Sequence, residues 1–264
     1  MMTRRHFAGT LLAAAAMRAE TPEERGNALK DKLVKALGGE QFLNMRDRTE
    51  EGRAYSFYRE QLSGLSVVKI YTKYQEKPGP GDFPAVRERQ AFGKKEDDAI
   101  LFVEGAVHEV TYRGARPLAD DRLQRYIETT NRNILYIVRK RLREPGMIFE
   151  SPGGDVIENQ PVQVLKVTDP QNRTVTVYLH RSTFLPVLQR FSLMDPILKE
   201  RREEVTRFNK YRSVSGVMWP YDIQRERDGE KIFQMFAEAV TVNNNLPDKL
   251  FMLPSGIKIL KKDV

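Results

Sequence analysis

The stretch from residue 203 to residue 242, EEVTRFNKYRSVSGVMWPYDIQRERDGEKIFQMFAEAVTV, decides the fold class. Apolar side chains alternate with polar ones along much of it, which is the period of a strand with one buried face. The pair Asp228-Gly229 between two such runs is typical of a hairpin turn. The stretch therefore predicts successive antiparallel strands. The alternating apolar sets are Val217, Trp219, Tyr221 and Ile223, followed by Ile232, Phe236 and Val240.

The same alternation extends over most of the chain after residue 52. Short segments of turn-forming residues separate the runs, and short connections favour antiparallel over parallel pairing. The sequence therefore predicts a large antiparallel sheet of about eleven strands. We place these strands at residues 52–58, 65–75, 86–92, 99–103, 107–112, 161–168, 174–180, 185–194, 203–211, 219–227 and 231–242.

Two helical segments accompany the strands. The sequence TPEE at residues 21–24 combines a capping box with proline at the first helical position, and it predicts an amphipathic helix that ends at Gly38-Gly39. A second helical segment is predicted from Asp120 to residue 142, with a break near residues 129–131. A curled antiparallel sheet leaves a concave face that helices or a ligand must cover. The predicted fold is therefore α+β, an incomplete antiparallel β-barrel (half-barrel) with helices covering the concave face.

The N-terminal residues 1–19 have the layout of a bacterial export signal. Arg4 and Arg5 precede an uncharged stretch, and small residues surround cleavage points after Ala16 or Ala19. The sequence TRRHF at residues 3–7 resembles the twin-arginine export motif, but paired arginines also occur in ordinary secretory signals, so both routes stay open. No linker rich in Gly, Ser or Pro divides the rest. We therefore expect residues 20–264 to form a single domain.

Composition narrows the class of protein further. The 264 residues are 40% hydrophobic and 30% charged, which excludes an intrinsically disordered chain, and no apolar run approaches the roughly 20 residues of a membrane-spanning helix. There is no cysteine, which excludes disulfides and thiolate chemistry. The net charge of +8 falls to +5 when residues 1–19, with three arginines and no acid, are removed. We therefore predict no nucleic-acid partner.

Motifs of catalysis and metal binding are missing from the sequence. It contains no nucleophile elbow, phosphate-binding loop, dinucleotide fingerprint or HExxH zinc motif. After removal of the signal the remaining histidines are His108 and His180, which lie in predicted strands without acids at ligand spacing. The sequence therefore predicts a protein that is not an enzyme, with no catalytic residue, no cofactor and no metal site.

The predicted strands have apolar faces that could bind a ligand without catalysis. Such faces ordinarily form a packed core, and that interpretation holds for most of these residues. The alternative is that part of the dry face, with the inner side of the second helix, lines a pocket for an acyl chain. The candidate lining residues are Val68, Ile70, Tyr74, Phe191, Trp219, Ile223 and Phe236 in strands, and Ile134 and Val138 in the helical segment.

Three segments resemble motifs of a known superfamily. RSTFLPV at residues 181–187 resembles a strand entry of the form residue-x-T-x-L-P, and FNKYRSVSGVMWP at residues 208–220 resembles the hairpin F-x-x-Y-x-x-V-x-G-V-x-x-P. NNNLPDKLFMLP at residues 243–254 resembles the closing N-x-x-L-P-x-x-x-F-x-x-P. With the opening helix that ends at LGG, residues 37–39, these segments make the chain similar to the LolA/LolB superfamily of periplasmic outer-membrane lipoprotein carriers and receptors.

The resemblance implies a half-barrel whose apolar cavity, covered by helices, accepts lipid chains. It also implies a periplasmic location, lipid or lipoprotein acyl chains as ligands, and membrane-associated envelope proteins as partners in outer-membrane biogenesis. Three hypotheses of function follow. The first is a non-catalytic carrier or sensor that shelters an apolar ligand. The second is an envelope scaffold or interaction module that uses the exterior of the sheet and has no cavity. The third is a hydrolase without a recognisable motif.

Overall fold

The computed structural model describes residues 19–103, 105–195 and 199–262, and in this part of the chain all the strands belong to one antiparallel sheet. The strands follow the order β6-β5-β4-β3-β2-β1-β13-β12-β11-β10-β9-β8-β7, and the end strands β6 and β7 do not pair with each other. The predicted open half-barrel of class α+β is therefore confirmed. The strands are β1 (Asp47–Tyr58), β2 (Gln61–Tyr74), β3 (Val86–Phe92), β4 (Asp98–Val103), β5 (Ala106–Thr111), β6 (Gly114–Pro117), β7 (Ile148–Ile157), β8 (Gln160–Thr168), β9 (Thr174–His180), β10 (Pro186–Met194), β11 (Arg201–Val214), β12 (Val217–Arg227) and β13 (Glu230–Val242).

The sheet has thirteen described strands instead of the predicted eleven or so, because β6 and β7 lacked a strand signal. β6 is only four residues long, and β7 contains Pro152, Gly153 and Gly154, which resemble a turn. The register of β7 against β8 shifts between Glu150 and Gly153. A bulge and a proline are tolerated there because β7 is an edge strand.

The opening helix α1 (Pro22–Leu37) begins and ends where the sequence predicts. The backbone N–H of Glu24 donates to Thr21 Oγ1 at 3.1 Å, and the N–H of Thr21 donates to the Glu24 carboxylate at 2.7 Å, which completes the capping box. At the other end Gly38 has a φ of 120°, and a Cβ added there would lie 2.2 Å from the carbonyl oxygen of Gly216. The end of α1 therefore rests directly on the β11–β12 turn. The short helix α2 (Glu40–Leu43) follows.

The second helical segment consists of α3 (Asp120–Asn131) and α4 (Ile134–Tyr136), with a further π-helical turn at Ile137–Arg141. The helix breaks at Arg132-Asn133, directly after the predicted residues 129–131, which are still helical. The Asn133 side chain accepts the backbone N–H of Leu135 at 2.9 Å. The residue that precedes α3 is Ala119, so Asp120, a residue type that often caps helices, is instead the first helical residue. Short 3-10 turns are present at Pro80–Asp82 and Asp248–Phe251.

The helices pack on the concave face as two separate groups. The first group consists of α1, α2 and the segment from Ile134 to Leu142. It forms the main core together with strands of the β7–β13 half. The second group is α3, which packs through Tyr126 and Ile127 on a cluster that includes Phe83 and Phe102, on the β3–β5 side. A space remains between the two groups above the middle of the sheet.

The predicted export signal, apart from residue 19, lies outside the described residues. Within the described residues, no helix combines the length and the apolar character needed to cross a membrane.

Candidate functional site

A cavity of about 220 Å³ lies between the middle of the concave sheet and the second helical segment. Its walls come from β1, β2, β3, β10, β11 and β12, and its roof comes from α3 and α4. Many of its lining side chains are charged or amide-bearing. The cavity thus joins strands from both halves of the sheet at the point where the two helical groups separate.

A buried arginine forms the centre of one wall. Arg48 is only 8% exposed, and its guanidinium donates to Glu50 Oε1 at 2.8 Å, to the Tyr74 hydroxyl at 2.9 Å and to Thr72 Oγ1 at 3.1 Å. Burial alone lowers the pKa of Arg48, but the charges of Glu50 and nearby groups outweigh burial and raise this pKa above its usual value. Arg48 is therefore a permanently charged group, and each of its three guanidinium nitrogens donates a hydrogen bond.

The single tryptophan closes this network on its other side. The Trp219 indole N–H donates to Glu50 Oε2 at 2.9 Å, and the Arg48 guanidinium lies 4.0 Å from the centroid of the indole ring. The ring of Phe42 of α2 also stacks with the indole, with 6.3 Å between ring centroids. The indole therefore connects the polar cavity wall to the main core.

Two further carboxylates line the cavity with few partners. Glu88 of β3 accepts a hydrogen bond from Gln90 at 2.6 Å, and burial raises the pKa of Glu88 above its usual value. Glu204 of β11 is 4% exposed, and its Oε1 accepts from Arg227 at 2.7 Å. Its Oε2 is buried and has no hydrogen-bond partner within the described residues. Both carboxylates therefore retain accepting capacity.

Arg225 of β12 is the cation that lines the cavity without a direct partner. Its guanidinium forms no hydrogen bond, and no ion pair within 4.0 Å, with any residue that the structure describes. Burial lowers the pKa of Arg225, although the charges of Glu204 and Glu88 act against this effect. A partly buried guanidinium has five donors that need acceptors. Arg225 therefore presents unused donors to the cavity.

The roof is held by aromatic residues. Tyr126 of α3 stacks on Phe102 with 4.0 Å between ring centroids, which fixes α3 over β4. The Tyr136 hydroxyl accepts the backbone N–H of Ala85 at 2.7 Å, and burial raises the pKa of Tyr136 to about 12. The last turn of α3 is tied to the β2–β3 connection because the Asn131 amide donates to the carbonyl of Asp82 at 3.0 Å. The C-terminal end of α3 is thus anchored more firmly than its exposed start.

An apolar strip continues from the cavity along the same face of the sheet. Ile70 of β2 pairs with Glu50 on one side and with Gln90 on the other, so it shares their face. The apolar strip begins at Ile70 and contains three buried and three partly buried side chains. The buried ones are Ala54, Val68 and Met235, and the partly buried ones are Ile70, Phe92 and Phe233.

Three solved structures share this architecture. A DUF1329 family protein from Desulfovibrio piger aligns with a TM-score of 0.58 at 12% identity, over 86% of this chain and 97% of that one. A protein domain from Vibrio parahaemolyticus that is named for outer-membrane lipoprotein sorting aligns with a TM-score of 0.57 at 11% identity, over 87% of this chain and 97% of that one. A LolA superfamily protein from Nitrosomonas europaea aligns with a TM-score of 0.51 at 13% identity, over 86% of this chain and 97% of that one. This chain has the LolA-like fold.

The likeness in fold confirms the half-barrel that the sequence resemblance implied. No protein-family model and no curated protein sequence matches the chain. At identities of 11 to 13% the comparison establishes the LolA-like fold and does not carry a function with it.

The LolA-like trough brings some of the predicted lining residues together and separates others. Four of the nine line the cavity, two lie on the apolar strip, and two belong to the main core behind the roof. The cavity residues are Tyr74, Phe191, Trp219 and Ile223; the strip residues are Val68 and Ile70; the core residues are Ile134 and Val138.

The ninth, Phe236, lies on the opposite face of the sheet. Its neighbour Met235 pairs with the cavity residue Ile223, so the side chain of Phe236 points the other way, where it contacts the Tyr55 ring at 5.8 Å. The cause is a bulge in β13, where Glu51 pairs with Ala239 but Gly52 pairs with Ala237. The extra residue reverses the alternation on which the prediction for Phe236 was based.

Sequence reasoning missed the charged residues of the cavity. Arg48 and Glu50 precede the predicted start of the first strand, and Glu88, Glu204 and Arg225 occur in strands rich in charges, where a solvated surface is the ordinary interpretation. The signal that could have found them is their spacing along the strand. Glu88 and Gln90 lie two and four residues after Val86, so all three share one strand face. Among the described residues, no group of three or more His, Asp or Glu side chains is placed to hold a metal ion.

Proposed function

We propose that this protein is an exported, non-catalytic carrier that shelters a lipid, or the acyl chains of a lipoprotein, in its half-barrel. The observation that carries the proposal is the cavity beneath α3 and its continuation into an apolar strip on the same face of the sheet. The LolA-like fold supports it, since two of the similar structures are named for lipoprotein sorting or for the LolA superfamily. In this proposal residues 1–19 are the export signal, residues 20–264 are a single domain, and the periplasm is the site of action.

The dimensions of the cavity suggest how a lipid would enter. Its volume of about 220 Å³ is below the roughly 300 to 1,000 Å³ of drug-sized sites, so a long acyl chain requires additional room. That room is available if the start of α3 moves away from the sheet. The first two turns of α3 are mostly exposed, and the helix lacks a side-chain cap at its N-terminus. Each buried methylene would contribute about 0.8 kcal/mol to binding.

The proposal is tested by extraction of lipid from the purified full chain, followed by mass spectrometry and by titration with a fluorescent fatty acid. We expect a co-purified lipid or saturable binding of the probe. Absence of both would contradict the proposal. The matched variants are Thr129→Phe, which fills the cavity from α3, and Arg122→Phe, which adds the same side chain at an exposed position of the same helix. Binding should fall for the first variant and not for the second.

A further inference from the structure

The charges of the cavity are not fully paired with one another. Arg48 and Glu50 satisfy each other, but Arg225 has no direct acceptor within the described residues and Glu204 Oε2 has no donor. Glu88 has a hydrogen bond from Gln90 and no ion pair within 4.0 Å among the described residues. A cavity that retains an unused cation and unused carboxylate oxygens is complementary to a ligand that carries both signs of charge.

The positions of these groups place them around one space. Arg225 pairs with Thr206 across the β11–β12 ladder, and Glu204 is two residues before Thr206 on the same face. Diagonal neighbours of this kind have Cα atoms about 7 to 8 Å apart. Glu88 lines the same cavity from β3 on the other side. The unused donors and acceptors therefore face one space, and no ion pair within 4.0 Å joins Arg225 to Glu204 or to Glu88 in the described residues.

We propose that the cavity recognises a zwitterionic head group in which a primary ammonium stands a few bonds from a phosphate. Arg225 donates to the phosphate oxygens, and the carboxylates of Glu204 and Glu88 accept from the ammonium. The acyl part of the same molecule extends along the strip from Ile70 to Phe233. This inference rests on the proposed carrier function and adds the class of head group that the carrier selects.

Ligands of a single sign of charge fit the cavity less well. An anionic head group would gain Arg225 but would approach Glu204 and Glu88, whose like charge disfavours it. A neutral head group would leave the Arg225 donors and Glu204 Oε2 without ionic partners. Desolvated charges of this kind discriminate strongly because the wrong ligand leaves them unpaired.

The test uses three single-chain lipids with the same acyl chain, namely lysophosphatidylethanolamine, lysophosphatidylglycerol and monoacylglycerol. Their dissociation constants are measured with the full chain from the fluorescence of its single tryptophan, Trp219, which lines the cavity. We expect the zwitterionic lipid to bind at least tenfold more tightly than either of the others. Equal affinity for all three would overturn the head-group inference and leave the carrier function standing. Failure of all three to bind would overturn the carrier function itself.

Binding of free phosphoethanolamine, which has the head group and no acyl chain, distinguishes a soluble ligand from a lipid. If it binds as tightly as the lysolipid, the cavity recognises a soluble zwitterion, and the acyl part of the inference is contradicted. Weaker binding by tenfold or more supports a lipid ligand, because the apolar strip then contributes to the affinity.

Substitutions test which residues cause the preference for the zwitterionic lipid. We expect Arg225→Gln to reduce the preference for the zwitterionic over the neutral lipid to less than threefold, and Glu204→Gln to reduce the preference over the anionic lipid. The control is Arg53→Gln, which removes an exposed arginine that pairs with Glu238 on the other face of the sheet. Unchanged preferences in both cavity variants, each folded by circular dichroism, would contradict the assignment.

Discussion

The indole N–H of Trp219 donates to Glu50 Oε2 at 2.9 Å, although 169 residues separate the two in sequence. Glu50 in turn accepts from Arg48, so a hydrogen bond and an ion pair meet on one carboxylate that is 4% exposed. Because this carboxylate joins β1 to β12 across β13, it holds the middle of the trough in one shape.

Removal of one member of this buried pair should destabilise the fold. We expect Arg48→Met to lower the free energy of unfolding by about 3 kcal/mol, since Glu50 then remains buried without its cation. The double variant Arg48→Met with Glu50→Gln should recover most of that loss, because the Gln oxygen still accepts from Trp219. Urea unfolding measures both. An Arg48→Met variant as stable as the wild type would show that the pair is not coupled to folding.

The pH dependence of stability should carry a contribution from Glu88. Burial raises its pKa above the usual 4.5, so the folded state binds this proton more tightly than the unfolded state, and stability is lost as the pH rises through the folded pKa. Glu88→Gln keeps the acceptor for Gln90 and removes the charge. We therefore expect this variant to be more stable than the wild type at pH 7, with the difference vanishing as the pH falls to 4.5 and below. A gain that does not change with pH would point to another cause.

Two phenylalanines of β13 form a matched pair for ligand binding. Phe233 pairs with Arg225 on the cavity face, and Phe236 lies three residues later on the opposite face. We expect Phe233→Ala to weaken binding of a fluorescent fatty acid about tenfold, which corresponds to about 1.4 kcal/mol of lost apolar contact. Phe236→Ala should leave the dissociation constant unchanged. If Phe236→Ala had the larger effect, the ligand would lie on the exterior of the sheet.

The close contact between the end of α1 and the β11–β12 turn requires glycine at position 38. Gly38→Ala places a methyl group 2.2 Å from the Gly216 oxygen at a φ of 120°, and we expect a loss of about 2 kcal/mol or more in unfolding free energy. Gly81, in the connection between β2 and β3, has a left-handed backbone (φ 64°, ψ 34°), and an added Cβ there meets nothing within 4 Å. Gly81→Ala should therefore cost only about 1 kcal/mol. Equal losses in thermal or urea unfolding would exclude the close contact as the cause.

Local patterns in the sequence predicted much of the fold. The capping box at residues 21–24 and the alternation around Trp219 depend on neighbouring residues only, so both were visible without a structure. The bulge that reverses the face of Phe236 depends on pairing with β1, which the sequence of β13 alone does not contain. β7 escaped prediction for a similar reason, since its Pro and Gly residues are tolerated only because it is an edge strand.

The candidate site was predicted less completely than the fold. Alternation placed Tyr74 and Ile223 on the inner face correctly, since burial of one strand face is a local property. The charged groups were missed because an arginine or glutamate in a strand is ordinarily solvated. Arg48 becomes a buried cavity residue only when Glu50, Thr72 and Tyr74 surround it.

The position of Trp219 allows the most direct test of the proposal that the trough shelters an acyl chain. The full chain would be titrated with a lysolipid that carries bromine at the head-group end of its acyl chain, where the chain passes from the cavity to the apolar strip, and with the same lipid without bromine. Bromine quenches tryptophan fluorescence on contact. We predict saturable quenching by the brominated lipid, reversed by an excess of the other, because the single tryptophan lines the cavity. Saturable binding of the brominated lipid with undiminished Trp219 fluorescence would place the ligand elsewhere and contradict the account.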